Sequence, residues 1–325
     1  MSNDQSTPQV RLKDMIGQDR GRRGSPTRRP RPLWLRIVSL CLVIVTLLWA
    51  AWLLNGAWGR IAGFVWSIQP GYGLGSFLLL LLSLLLSFAA FREIMESASG
   101  RSLGFYALGG FHFAGQLMKH IPGRFLGVAY QATNAAHLAS PGQWVAANLA
   151  FMGLTIWMSL LVAVILILGV GPDRPMVVQS ALLLLLLGPG PAYLLLARLR
   201  RKGMAGWVNH LHRTTRSPRF WKAILYMATS WAVYVSAWLA FSLASDDVST
   251  EGALRLCAFY SISWVVGFVA LVTPSGLGVR ELTFAAFATG FPDPVVAGIA
   301  VLVRAAMLAG DLLLGVLFLP GVRNG

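Results

Sequence analysis

GLGSFLLLLLSLLLSFAAF, residues 73–91, runs from Gly73 to Phe91 without a charged side chain. About 20 apolar residues in a helix cross a hydrocarbon core roughly 30 Å thick. Only a helix or a closed barrel satisfies its backbone polar groups inside lipid. This stretch is too long for a strand and too leucine-rich for a loop, so it predicts a membrane-spanning helix. Further runs of the same kind lie on both sides of it. They span Leu33–Leu54, Trp144–Val170, Met176–Ala197, Ala223–Leu243, Ala253–Thr273 and Val295–Leu319.

Composition agrees with that pattern. The chain has 325 residues, of which 56% are hydrophobic and 12% charged. Its mean hydropathy is +0.65. Soluble domains carry roughly 25% charged residues, so this chain cannot clothe a water-exposed surface of its own size. The expected fold is all-α: a polytopic helical bundle with about seven or eight spanning helices. A polar, Arg-rich tail over residues 1–32 cannot bury enough surface to fold alone. The transmembrane domain is expected over 33–320, with a short C-terminal tail at 321–325.

Net charge is +15. On a soluble protein that would point to nucleic acid; here it sits in the tail and between apolar runs, where it reads as topology. The tail to Arg36 holds nine Lys and Arg, the segment Arg92–Gly142 four and Arg198–Lys222 eight. The intervening loops are poor in cations, and Ala244–Gly252 carries Asp246, Asp247 and Glu251 instead. The N-terminus is therefore expected on the cytoplasmic side of the plasma (inner) membrane. Met204, Trp207, Val208 and Leu211 have helical spacing within the second basic loop, which fits a short helix on the headgroups or a plain solvated loop.

Two apolar stretches do not read as simple crossings. Leu103–Met118 is short, glycine-rich and stopped by Lys119-His120-Ile121-Pro122-Gly123-Arg124. Leu277–Phe291 follows Thr273-Pro274-Ser275-Gly276-Leu277-Gly278-Val279-Arg280-Glu281. Re-entrant or broken segments are expected near 103–124 and 274–291, since irregular backbone survives at membrane depth only inside protein or beside water. A helix beginning after such a break presents free N–H groups that favour an anion. Lys119, Arg124 and Arg280 would hold an anionic headgroup there. Glu281 would balance the charge by pairing with Arg280 or Lys119. Pro122, Gly123, Pro274, Gly276 and Gly278 would make the breaks, and His120 sits beside the first. Interrupted segments in both halves of a chain point to a shared central site. In the last run Arg304 and Asp311 stand seven apart, near one helix face but too far to pair directly, so each needs a partner from another helix. Structural ion pairing accounts for these two as well as transport does.

Nothing calls for a metal or cofactor. The histidines lack metal-ligand spacing and no HExxH occurs. Cys41 and Cys257 lie in apolar runs. Asn55–Tyr72, the early outer loop in which a lipid-phosphate glycosyltransferase would carry an acidic residue, has none.

At its two breaks the sequence resembles the transmembrane region of lysylphosphatidylglycerol synthases and their stand-alone membrane relatives. Lys119-His-Ile-Pro-Gly-Arg124 is similar to the family's Lys-Tyr-x-Pro-Gly-Lys. Thr273-Pro-Ser-Gly-Leu-Gly-Val-Arg-Glu281, followed after Phe291-Pro292 by a helix with Arg304, is the more specific match. The resemblance covers most of Leu33–Leu319. It implies a helical lipid-handling domain, in some members a flippase for aminoacylated phospholipid. Lys119, Pro122, Gly123, Arg124, Gly276, Gly278, Arg280, Glu281 and Arg304 occupy matching positions. His120 departs from the usual Tyr, Gln131 stands where many members have Arg, and Asn148 where many have an acid. The sequence to Gly325 carries no soluble aminoacyl-transferase domain, so lysyl transfer is not expected.

The function expected is binding and translocation of an anionic phospholipid or polyprenyl-linked glycan in envelope lipid or glycan assembly, without catalysis. Two alternatives differ in class. One is a membrane glycosyl- or acyl-transferase, or its accessory subunit, using Asp246 and Asp247. The other is a non-catalytic scaffold for other envelope-assembly proteins.

Overall fold

The computed structural model describes residues 59, 62–118, 126–170, 206–269, 276 and 278–323. All lie within one unit, Leu42–Gly325. The described residues form helices α1 Pro70–Ser99, α2 Phe105–Met118, α3 Leu126–Asn134, α4 Pro141–Val170, α5 Gly206–Thr215, α6 Pro218–Ser242, α7 Thr250–Val269, α8 Val279–Phe287 and α9 Asp293–Arg323. No strand occurs among them beyond a single bridge between Thr289 and Phe291.

Five helices, α1, α4, α6, α7 and α9, are long and apolar enough to cross a membrane. They coincide with five of the runs read from the sequence. The expected spans Leu33–Leu54 and Met176–Ala197 lie outside the described residues, as does the tail over 1–32. Helices α2, α3 and α8 have 14, 9 and 9 residues. At 1.5 Å per residue they are about 21, 14 and 14 Å long, too short to cross a core of roughly 30 Å. α9 continues through Pro320 to Arg323, so most of the tail expected from residue 321 belongs to the last helix.

α1 shows why these residues form this element. Pro70 occupies its first turn and Gly100, at φ 73°, ends it in the left-handed region, where a residue without Cβ carries no steric penalty. Leu74, Leu78 and Leu82, one turn apart, are exposed, an apolar stripe that suits lipid rather than water. Phe88, Phe91, Ile94 and Met95 are fully buried on the other side.

α1 runs antiparallel to α6, its most extensive neighbour. Ser76 Oγ donates to the Ala237 carbonyl at 2.8 Å, and Ser230 Oγ donates to the Ser83 carbonyl at 2.8 Å. At one end of the pair Arg219 binds Glu96. Small serines let the two backbones approach and satisfy their hydroxyls inside the bundle. α2 and α9 are likewise antiparallel: Tyr106 meets Gly321, Gly109 meets Phe318 and Leu117 meets Gly315. These contacts define two ends. The Ser99 end holds the C-terminus of α1, the start of α2, α5, the start of α6 and the end of α9. The Pro70 end holds the start of α1, the end of α4, and the starts of α7 and α9, where Phe291 packs beside Gly252. The core divides accordingly. One cluster, around Phe88, Phe91, Trp144 and Phe318, belongs to the Ser99 half; the other, around Tyr260, Phe284 and Ile299, belongs to the Pro70 half.

The basic loop 198–222 contains a helix, α5, but its apolar side is turned inward. Val208 and Leu211 are buried as α5 packs on α4 and α1, so these two residues support the bundle rather than rest on headgroups.

Glu96 ties this end together. It is only 4% exposed and accepts from Arg92 Nε at 3.1 Å, from the Leu103 N–H at 3.1 Å and from Arg219. Truncating one member of a buried charge pair leaves the other uncompensated. Both arginines here are partly solvated, at 35% and 43% exposure, which lowers the cost. Glu96→Ala is therefore expected to destabilise the fold by about 2 kcal/mol. Glu96→Gln, which still accepts from Leu103, should cost less. Tryptophan-fluorescence melts in micelles measure both, and equal midpoints for Glu96→Ala and the parent would show that the hub contributes nothing.

Candidate functional site

Three helices bring the sequence-predicted charges of the second break together. α7 delivers Tyr260, α8 delivers Arg280 and Glu281, and α9 delivers Arg304. α7 and α8 form a tight antiparallel pair in which Tyr260 packs edge-on against Phe284 and Phe259 lies against Phe287. Two glycines permit the approach. A Cβ on Gly267 would lie 2.9 Å from Arg280 Cβ, and one on Gly276 would lie 2.6 Å from the Gly267 carbonyl oxygen. Gly276 and Gly278 have φ of 70° and 83°. The second is the N-cap of α8, and Glu281 reaches back to accept the Gly278 N–H at 2.8 Å. Glycine has no side chain to return that bond, so the cap is one-sided.

Arg280 lies over the Tyr260 ring, its guanidinium carbon 4.2 Å from the centroid. Its Nε and the Tyr260 hydroxyl are buried without a hydrogen-bond partner among the described residues. Glu281 Oε1 pairs with Arg304 Nε at 3.1 Å, with the two side chains 31% and 28% exposed. The sequence reading gave Glu281 to Arg280 or Lys119. In the structure its partner among the described residues is Arg304, because the cap on Gly278 turns the carboxylate toward α9 while Arg280 faces α7. That Arg304 needs a partner from another helix agrees with the pairing seen.

Depth follows from helix rise. Tyr260 stands ten residues into α7 and Arg304 eleven into α9, so each lies about 15 Å from the Pro70 end. That is half of a core roughly 30 Å thick. Two guanidinium groups and one carboxylate thus meet about halfway along a span-length stretch of these helices, an excess of one positive charge among the described residues. A charge there is costly unless it is paired or serves a charged ligand. Among the described residues the Arg280 Nε–H and the Tyr260 O–H are buried donors without an acceptor, the kind of groups that an anion with several acceptor oxygens would satisfy.

Asp311 sits two turns beyond Arg304, buried at 1% exposure on the same face of α9 as Leu314 and Phe318. Its neighbour Gly310 abuts Leu84 of α1, so Asp311 belongs to the packed face toward the Ser99 half rather than to the Arg304–Glu281 pair. Lys119, His120, Pro122, Gly123, Arg124 and Pro274 lie outside the described residues. The helices flanking the first break do not. α2 and α3 pack antiparallel with a Cβ on Gly127 only 2.5 Å from the Gly115 carbonyl oxygen. Beside that contact Gln131 Nε2 donates to the Phe111 carbonyl at 3.1 Å, and Asn148 Nδ2 donates to Gln131 Oε1 at 2.8 Å. Both amides are buried. They are neutral partners of each other, so neither leaves a charge in the core.

Sequence reasoning missed Tyr260, whose place in an apolar run carries no signal, and the Glu96–Arg219 pair. His112 is buried in contact with the rings of Phe88, Phe91, Phe113 and Phe151. Among the described residues no group of three or more His, Cys, Asp or Glu is placed to hold a metal ion. Asp246 and Asp247 lie in the turn between α6 and α7.

The chain matches no family model, no curated protein and no solved structure.

Proposed function

We propose that this chain binds an anionic phospholipid or a lipid-linked glycan and carries its headgroup between leaflets of the plasma (inner) membrane. The observation that supports this most directly is the mid-depth cluster, in which Arg280 stacked on Tyr260 and the Arg304–Glu281 pair carry an excess of one positive charge among the described residues. Such an excess is costly in lipid and is offset when a negative group arrives. The pairs α2–α3 and α7–α8, each with at least one helix too short to cross, reach into the bundle from opposite ends, the arrangement broken-helix transporters use to build a central site. In this reading they are re-entrant. The resemblance to the lysylphosphatidylglycerol synthase transmembrane region points the same way. Its departures at Gln131 and Asn148 fit as one paired change, since the two amides bond to each other where many members carry Arg and an acid.

Orientation follows from the ends. The Ser99 end carries Arg92, Arg101, Arg213, Arg216, Arg219 and Lys222 against Glu93 and Glu96. The Pro70 end carries Asp246, Asp247, Glu251 and Asp293 against Arg255. By the positive-inside rule the Ser99 end is assigned to the cytoplasmic side.

Reconstitution tests the proposal. Vesicles containing the full chain and a fluorescent phosphatidylglycerol on one leaflet should lose that asymmetry faster than empty vesicles, and faster than vesicles with labelled phosphatidylcholine. A lipid-linked oligosaccharide assayed in parallel separates the two substrate classes. If neither lipid moves faster than in empty vesicles, translocation is ruled out for the chain acting alone.

A further inference from the structure

A polar cleft opens at the Ser99 end, away from the mid-depth cluster. Glu96, Ser97, Gly100, Arg213, Ser217 and Arg219 line it. We propose that this cleft docks the headgroup phosphate of an anionic phospholipid in the adjacent leaflet, a binding site that stands whether or not the chain translocates lipid.

The charge of the lining favours an anion. Glu96 is the only acid in it, and its carboxylate is already engaged by Arg92, Arg219 and the Leu103 N–H. Arg213 is exposed and makes no ion pair or hydrogen bond among the described residues. Its guanidinium comes within 3.9 Å of where a Cβ on Gly100 would stand, so the absent side chain leaves the wall open beside the charge. Ser217 caps α6, its Oγ accepting the Arg219 N–H at 3.3 Å. The hydroxyl proton stays available to a phosphate oxygen.

The surface next to the cleft selects a lipid over a free phosphate. One and two turns along α6 from Ser217, Trp221 and Leu225 are 73% and 67% exposed. Residues four apart share a helix face, so the cap, the indole and the leucine form one line. A tryptophan suits the headgroup level of a bilayer and a leucine the acyl region beyond it. A phosphate between Arg213 and Ser217 would lay its acyl chains along Trp221 and Leu225.

Native mass spectrometry of the full chain in micelles, titrated with phosphatidylglycerol, phosphatidylcholine or inorganic phosphate, tests this. Phosphatidylglycerol should bind at least about fivefold tighter than phosphatidylcholine, whose choline cation would be held beside Arg213 when its phosphate is docked. Arg213→Ala should remove most of that preference and Arg213→Lys should keep part of it. Arg216→Ala, an exposed arginine outside the cleft, should leave it unchanged. Trp221→Ser should weaken both lipids. Equal losses from Arg213→Ala and Arg216→Ala would mean diffuse attraction to a basic surface and would overturn the site. Saturation by inorganic phosphate with no preference among lipids would overturn the lipid assignment.

Discussion

Arg280→Ala is expected to reduce protein-dependent movement of labelled phosphatidylglycerol by roughly tenfold to a hundredfold, since a charge-assisted contact contributes about 1.5–3 kcal/mol. The substitution removes the cation stacked on Tyr260 and leaves Glu281 and Arg304 as a neutral pair. Arg280→Lys should be intermediate, because an ammonium keeps the charge but not the planar stack. Charge and geometry are then separated by a second change. Glu281→Gln in the Arg280→Ala background restores the excess of one positive charge, now on Arg304. The amide oxygen can still accept the Gly278 N–H that opens α8. If attraction of the headgroup to net charge at depth limits transport, the double variant recovers part of the rate. Residues in one network couple, so the two effects should not add. A fully active Arg280→Ala protein with an unchanged melting temperature would remove the cluster from the mechanism.

Five of the expected spans were legible as long apolar helices because the length of an apolar run is set by bilayer thickness, a constraint independent of tertiary contacts. Their ends were not. The reading of α1 stopped at Phe91 because Arg92 follows, yet the helix continues to Ser99. Arg92 and Glu96 lie one turn apart and neutralise each other, with Arg219 arriving from α6. A linear pattern registers two charges where the fold holds a satisfied pair. The second break was legible at Gly276 and Gly278, since positive φ and close approach demand glycine. What meets at that break was not. Whether Glu281 faces Arg280 or Arg304 depends on the direction in which the Gly278 cap turns the carboxylate. Tyr260, an aromatic within an apolar helix, looks like any core residue until Arg280 lies over it. The helical spacing in 204–211 left a helix and a solvated loop equally open, and Gly206–Thr215 is a helix. Its apolar side covers protein because α4 and α1 offer a surface there, which no periodicity discloses.

The same break yields the largest expected effect on stability, at Gly276. Valine there faces two penalties that cannot relax together. The backbone sits at φ 70°, where an L side chain loses about 1–2 kcal/mol and a β-branched one more. Its Cβ would lie 2.6 Å from the Gly267 carbonyl oxygen, a backbone atom of α7 with no rotamer through which to withdraw. Moving α8 away to relieve the clash lifts Arg280 off Tyr260 and separates Phe284 from its buried seat, so relief in one place is a loss in another. Gly276→Val is therefore expected to cost about 3–5 kcal/mol, the range of severe packing and strain defects. Gly276→Ala should fall between it and the parent. Gly153→Ala serves as the control, because that glycine lies inside α4 with open space around its missing side chain. It should be neutral or stabilising by up to about 1 kcal/mol. Midpoints of thermal unfolding in micelles rank the three. Should Gly276→Val melt with Gly153→Ala, the α7–α8 pair is looser than the contact at Gly267 requires, and the stacking of Arg280 on Tyr260 loses the constraint that holds it.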